Sequence, residues 1–96
     1  MAIAYKKLSK EEEQIYEVVR RVLKKTRPPS VVGSDVELGQ DSTDHPAVWI
    51  SLNIDPLTKL TKRELDEIDK VARLIKVEIF RQNLPREPYV RLRTAA

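Results

Sequence analysis

The chain has 96 residues and a formal net charge of +3, with a third of its side chains charged. That is enough chain for one domain with one modest core, and association is a common way for so small a domain to bury more surface. Cysteine is absent, which excludes a disulfide frame, a thiolate metal site and a thiol nucleophile, and fits the reducing cytoplasm. Met1 to Lys7 has no apolar core behind its charges, so it does not read as a secretory signal. No run reaches the roughly 18 apolar residues of a membrane span.

Charge is distributed unevenly. Residues 1–30 hold eight Lys or Arg against four acids, residues 31–58 hold five acids and no base, and residues 59–96 hold ten bases against six acids. The flanks are basic and the centre is acidic. Residues 1–8 read as a flexible arm, and 1–96 as a single domain.

Ser9-Lys10-Glu11-Glu12 is a capping box that opens a helix. Ile15, Val18, Val19, Val22 and Leu23 then recur at helical spacing and give it one apolar face. Lys24 and Lys25 suit the negative end of the helix dipole, and Pro28-Pro29 stops it. Val31 to Leu38 alternates as a strand, with Val32, Ser34, Val36 and Leu38 on one face and Asp35 and Glu37 on the other. Gly39 to Pro46 is rich in turn formers and forms a loop. Ala47 to Ile54 is a second strand that points Val48, Ile50, Leu52 and Ile54 to the core and Trp49, Ser51 and Asn53 away from it.

Thr61-Lys62-Arg63-Glu64 is a second capping box. It opens a helix that runs to about Gln82. Leu65, Ile68, Ala72, Ile75 and Ile79 form its core stripe, and Val71, Leu74 and Phe80 widen it. Asp66-Lys70 and Asp69-Arg73 are i,i+4 pairs on its wet side, and Asn83 caps its end. Leu84 to Pro88 is a stiff connector. Tyr89 to Arg93 closes the chain as a short strand, with Val90 and Leu92 inward and Tyr89, Arg91 and Arg93 outward.

The expected fold is α+β: a two-layer sandwich in the order α-β-β-α-β, with a three-stranded, mostly antiparallel sheet and both helices on one face. Acids on the first strand and arginines on the last suggest that these two are neighbours, which gives the strand order 2-1-3.

This arrangement leaves one sheet face open. It carries Asp35, Glu37, Trp49, Ser51, Asn53, Tyr89, Arg91 and Arg93. Exposed Trp and Tyr are costly in water and enriched at interfaces, so the face is the candidate surface for a homodimer or another protein partner. The arm residues Ile3 and Tyr5, or long Arg stems, would shield Trp49 instead. The cluster Arg20, Arg21, Lys24, Lys25 and Arg27 at the end of the first helix is the weaker candidate, for RNA, and Arg86, Arg91 and Arg93 can add to it.

Catalysis has little to work with. There are two glycines, one histidine and no serine in a nucleophile elbow, so no cofactor and no catalytic residue is assigned. Asp41, Asp44 and His45 are better explained as groups bonding their own turn than as metal ligands, so no metal is assigned either.

Asp41-Ser42-Thr43-Asp44-His45-Pro46-Ala47 and Pro88-Tyr89-Val90-Arg91-Leu92-Arg93 resemble the D-x-T-x-x-P-A hairpin and P-Y-V-R-x-R tail of a family of small bacterial proteins of unknown function. In its order of elements the chain is also similar to type II KH-like domains such as ribosome-binding factor A, which implies RNA or ribosome binding. The Gly-x-x-Gly clamp of those domains has no counterpart here. The same order resembles the cytosolic domain of cation-efflux transporters, whose metal-binding histidines are likewise missing.

Overall fold

A computed structural model describes residues 9–94. The arm at residues 1–8, with Ile3 and Tyr5, lies outside the described residues. The elements are α1 (Lys10–Thr26), β1 (Val31–Gln40), β2 (Pro46–Ile54), α2 (Lys62–Arg81) and β3 (Glu87–Thr94). The expected α-β-β-α-β order and α+β layering are present.

Both capping boxes form. The Glu12 amide donates to Ser9 Oγ at 3.1 Å and the Ser9 amide to Glu12 Oε1 at 3.3 Å. Thr61 and Glu64 repeat the exchange at the start of α2. Each box supplies acceptors to amides that have no partner within the helix. At the other end of α2, Asn83 takes a left-handed φ of 53° and its amide returns to the Phe80 carbonyl, as expected of a helix stop.

Ile15, Val18, Val19 and Val22 of α1 and Ile68, Val71, Ile75 and Ile79 of α2 pack with Val48, Ile50, Leu52 and Ile54 of β2 in one core. Val31 completes it from β1, where Val32 was expected. A bulge explains the change: Val31 pairs with Ile54 and Gly33 with Asn53, so Val32 drops out of the ladder and is 52% exposed. One extra residue reverses which side of the strand a side chain occupies.

The strand order is β1-β2-β3, not 2-1-3. β1 and β2 run antiparallel, β2 and β3 parallel. Parallel neighbours need a crossover, and α2 provides it between β2 and β3. The charge argument pointed to adjacent strands, but Arg91 is long enough to reach Glu37 over the middle strand, with Nη2 3.3 Å from Glu37 Oε2. α2 is also less covered than its sequence suggests. Leu65 is 43% and Phe80 58% exposed, because a three-stranded sheet is too narrow to meet every apolar side chain of the helix.

Ile50 lies on β2, the middle strand, and has no solvent exposure. Its replacement by Ala should cost about 2–5 kcal/mol in denaturant unfolding. Leu57→Ala, at a side chain 92% exposed, should stay within about 0.5 kcal/mol.

Candidate interaction surface

The open face is built on β2. In register, Glu37, Trp49 and Tyr89 form one row across the sheet, Asp35, Ser51 and Arg91 the next, and Gly33, Asn53 and Arg93 a third. All eight residues expected there are therefore on one surface, and no other element among the described residues covers them.

The aromatic row is ordered. Trp49 and Tyr89 stack with ring centroids 6.0 Å apart and planes inclined by 21°, within the range in which aromatic pairs attract beyond simple burial. On the other side Trp49 lies over Gly39. A Cβ at Gly39 would stand 2.8 Å from the indole ring, so this position needs a glycine for space. Tyr89 and Gly39 together leave Trp49 only partly exposed.

Below the aromatics is a polar layer. Arg91 Nε donates to Ser51 Oγ at 2.9 Å, and the guanidinium then continues to Glu37. Ser51 is buried although it points away from the core. Its small side chain leaves the path that Arg91 follows across β2, two strand spacings or roughly 10 Å wide. Asn53 Nδ2 donates to Asp35 Oδ2 at 3.0 Å. The face is thus acidic along β1, neutral along β2 and basic along β3.

The loop between β1 and β2 closes one end of this surface. Asp41 Oδ1 accepts from the Thr43 hydroxyl at 2.7 Å, the Thr43 amide at 2.9 Å and the His45 amide at 3.1 Å. Its other oxygen accepts from the Tyr89 hydroxyl at 3.1 Å. This is the self-bonded turn expected from the sequence, but it also anchors Tyr89, which the sequence did not signal. The Thr43 hydroxyl, with the backbone amides and Tyr89, lowers the Asp41 pKa to about 2. The same bond to Asp41, after desolvation, raises that of Tyr89. His45 Nδ1 lies 2.6 Å from the Thr43 hydroxyl oxygen, with the direction of that bond set by the imidazole tautomer.

Arg86 has a role that its sequence context did not reveal. Its Nε lies 2.6 Å from Glu11 Oε1, and its Nη1 donates to the carbonyls of Gly39 and Ala47 at 3.0 and 3.1 Å. It ties the start of α1 to the ends of β1 and β2. It does not join the basic cluster at the end of α1, which is about 20 Å away along that helix. Arg91 is likewise engaged on the sheet. The cluster itself divides. Arg20, Lys24 and Arg27 line a groove of about 760 Å³ beside β1, Arg21 lines a different one with Leu74, Glu78 and Arg81, and Lys25 borders both.

No protein-family model matches the chain, and no curated protein matches it. Solved structures share the fold. The metal-bound C-terminal domain of the CzcD transporter from Thermotoga maritima aligns with a TM-score of 0.52 at 15% identity, over 92% of this chain and 93% of that one. Two variants of the MamM CTD align at 0.46 and 0.47, with 10% and 9% identity, over 92% of this chain and 100% and 99% of theirs. At 15% identity the CzcD likeness is one of fold. Among the described residues, no group of three or more His, Cys, Asp or Glu is placed to hold a metal ion, and no helix is long and apolar enough to cross a membrane.

Because the Asp41 pKa is lower folded than unfolded, its ionised form stabilises the fold above about pH 4, and this contribution fades as pH falls toward 2. Thermal unfolding of Asp41→Asn should therefore differ most from the native chain above pH 4. The two curves should converge near pH 2.

Proposed function

We propose that the protein is a non-enzymatic interaction module of the cytoplasm that self-associates through its open sheet face. The observation that carries this reading is the stacked Trp49–Tyr89 pair, ordered on a face that no other described element covers. The charge pattern supports it. A two-fold axis parallel to the strands, between two facing sheets, sets the acidic side of one copy against the basic side of the other. A like-charged face would repel itself. The internal hydrogen bonds of Arg91 and Asn53 fix these charges in place before contact, which lowers the ordering cost of association.

A second reading, RNA binding at the end of α1, is favoured by one observation: the groove there is lined by Arg20, Lys24, Lys25 and Arg27 and by no carboxylate. Against it, the C-terminal end of a helix carries partial negative charge and repels phosphate.

Light scattering discriminates the two. The native chain should show a mass of at least twice 11.1 kDa, and replacing Trp49 and Tyr89 together by Ala should halve it. An unchanged mass would overturn the open-face reading. Binding of mixed-sequence RNA that weakens steeply with salt, and that is lost on replacing Lys24 and Arg27, would favour the second reading.

A further inference from the structure

The sheet has two edges, and they are finished differently. On β1 the outward Val36 amide donates to the Tyr16 hydroxyl at 3.3 Å, and the bulge at Val32 breaks the regular edge. Both features discourage another strand. Nothing among the described residues closes β3 in this way. Leu92 faces the helical layer and is still 45% exposed, as expected where the next strand is missing.

We propose that a second copy of this chain fills that position, its β3 pairing antiparallel with this β3 about a two-fold axis through Val90. Three strands would thus become six. The sequence of β3 is self-complementary in this register. Glu87 stands opposite the partner's Arg93, and Tyr89 opposite the partner's Arg91, a cation facing a ring. A two-residue slip toward the C-terminus sets Arg91 against the partner's Arg91. The opposite slip moves Arg93 beyond the partner strand. Pro88, the second residue of β3, lacks a donor, so the paired ladder goes without one bond near each of its ends.

α2 repeats the pattern independently. Its flank with Leu74, Glu78 and Arg81 borders α1. The opposite flank, on the β3 side, carries Leu65, Asp69, Ala72, Lys76 and Phe80 at helical spacing. α2 runs back along β3, and the proposed pairing takes the middle of α2, near Ala72, to lie beside the middle of β3. The same two-fold axis then brings Leu65 to the partner's Phe80 and Asp69 to the partner's Lys76. Two exposed apolar side chains, at 43% and 58%, find each other, and Lys76 comes to the partner's Asp69, which also holds Arg73 of its own helix at 2.7 Å. Strand and helix are complementary about one axis, although nothing within a single chain requires it.

The interface is additional to the open-face reading, and its test uses Val90, Asp69 and Lys76, none of them on that face. Antiparallel neighbours at the axis have Cα atoms roughly 4.5–5.5 Å apart, within disulfide range. The native chain has no cysteine, so Val90→Cys should give a reducible, disulfide-linked dimer on mild oxidation in dilute solution. Lys76→Glu should raise the dimer Kd by about tenfold, since it places two like-charged pairs across the axis. Adding Asp69→Lys to Lys76→Glu should recover most of the lost affinity, since it re-forms both pairs across the axis while giving up the Asp69–Arg73 pair within each helix. A Val90→Cys thiol that stays free, or a Lys76→Glu chain whose association is unchanged, would overturn edge pairing while leaving the open-face reading to its own test.

Discussion

Everything in this fold leans on β2. It is hydrogen-bonded on both edges, its Val48, Ile50, Leu52 and Ile54 supply the floor of the core, and its other side is the axis of the open face. A strand paired on both sides cannot slide without breaking two ladders. A slip by one residue would exchange four core aliphatics for Trp49, Ser51 and Asn53. The rows of the open face are therefore set by the same register that sets the core.

That coupling explains how a small sheet can hold an ordered polar surface. Arg91 bridges to Glu37 only because Ser51 is small and lies between them, and Trp49 lies flat only because Gly39 offers no Cβ. Asp41 fastens the loop to Tyr89 and so holds the second ring of the stack. Each bond on its own is worth little at a wet surface. Together they determine which charges stand where, and the proposed recognition by another copy depends on that placement.

The helices, strands and turns were legible because each has a local cause: two capping boxes, a Pro-Pro stop, an alternating Ala47–Ile54 run and a loop of Asp, Ser and Thr. The eight residues of the open face were legible for the same reason, since alternation alone assigns sides. The strand order was not. Complementary charges on β1 and β3 are compatible with direct contact and with a bridge across β2, and only the reach of an arginine over a serine decides between them. The bulge at Val32 escaped because it leaves composition and spacing unchanged. The Asp41–Tyr89 bond and the Arg86 clamp join residues 48 and 75 positions apart in the sequence, where no periodicity extends.

The account's central claim is that Trp49 belongs to a contact surface rather than to a finished monomer surface. Acrylamide quenching of the single tryptophan over a dilution series tests it directly. The account predicts strong quenching in dilute solution that declines, with a blue shift in emission, as concentration rises. Quenching and emission that do not change with concentration would contradict it.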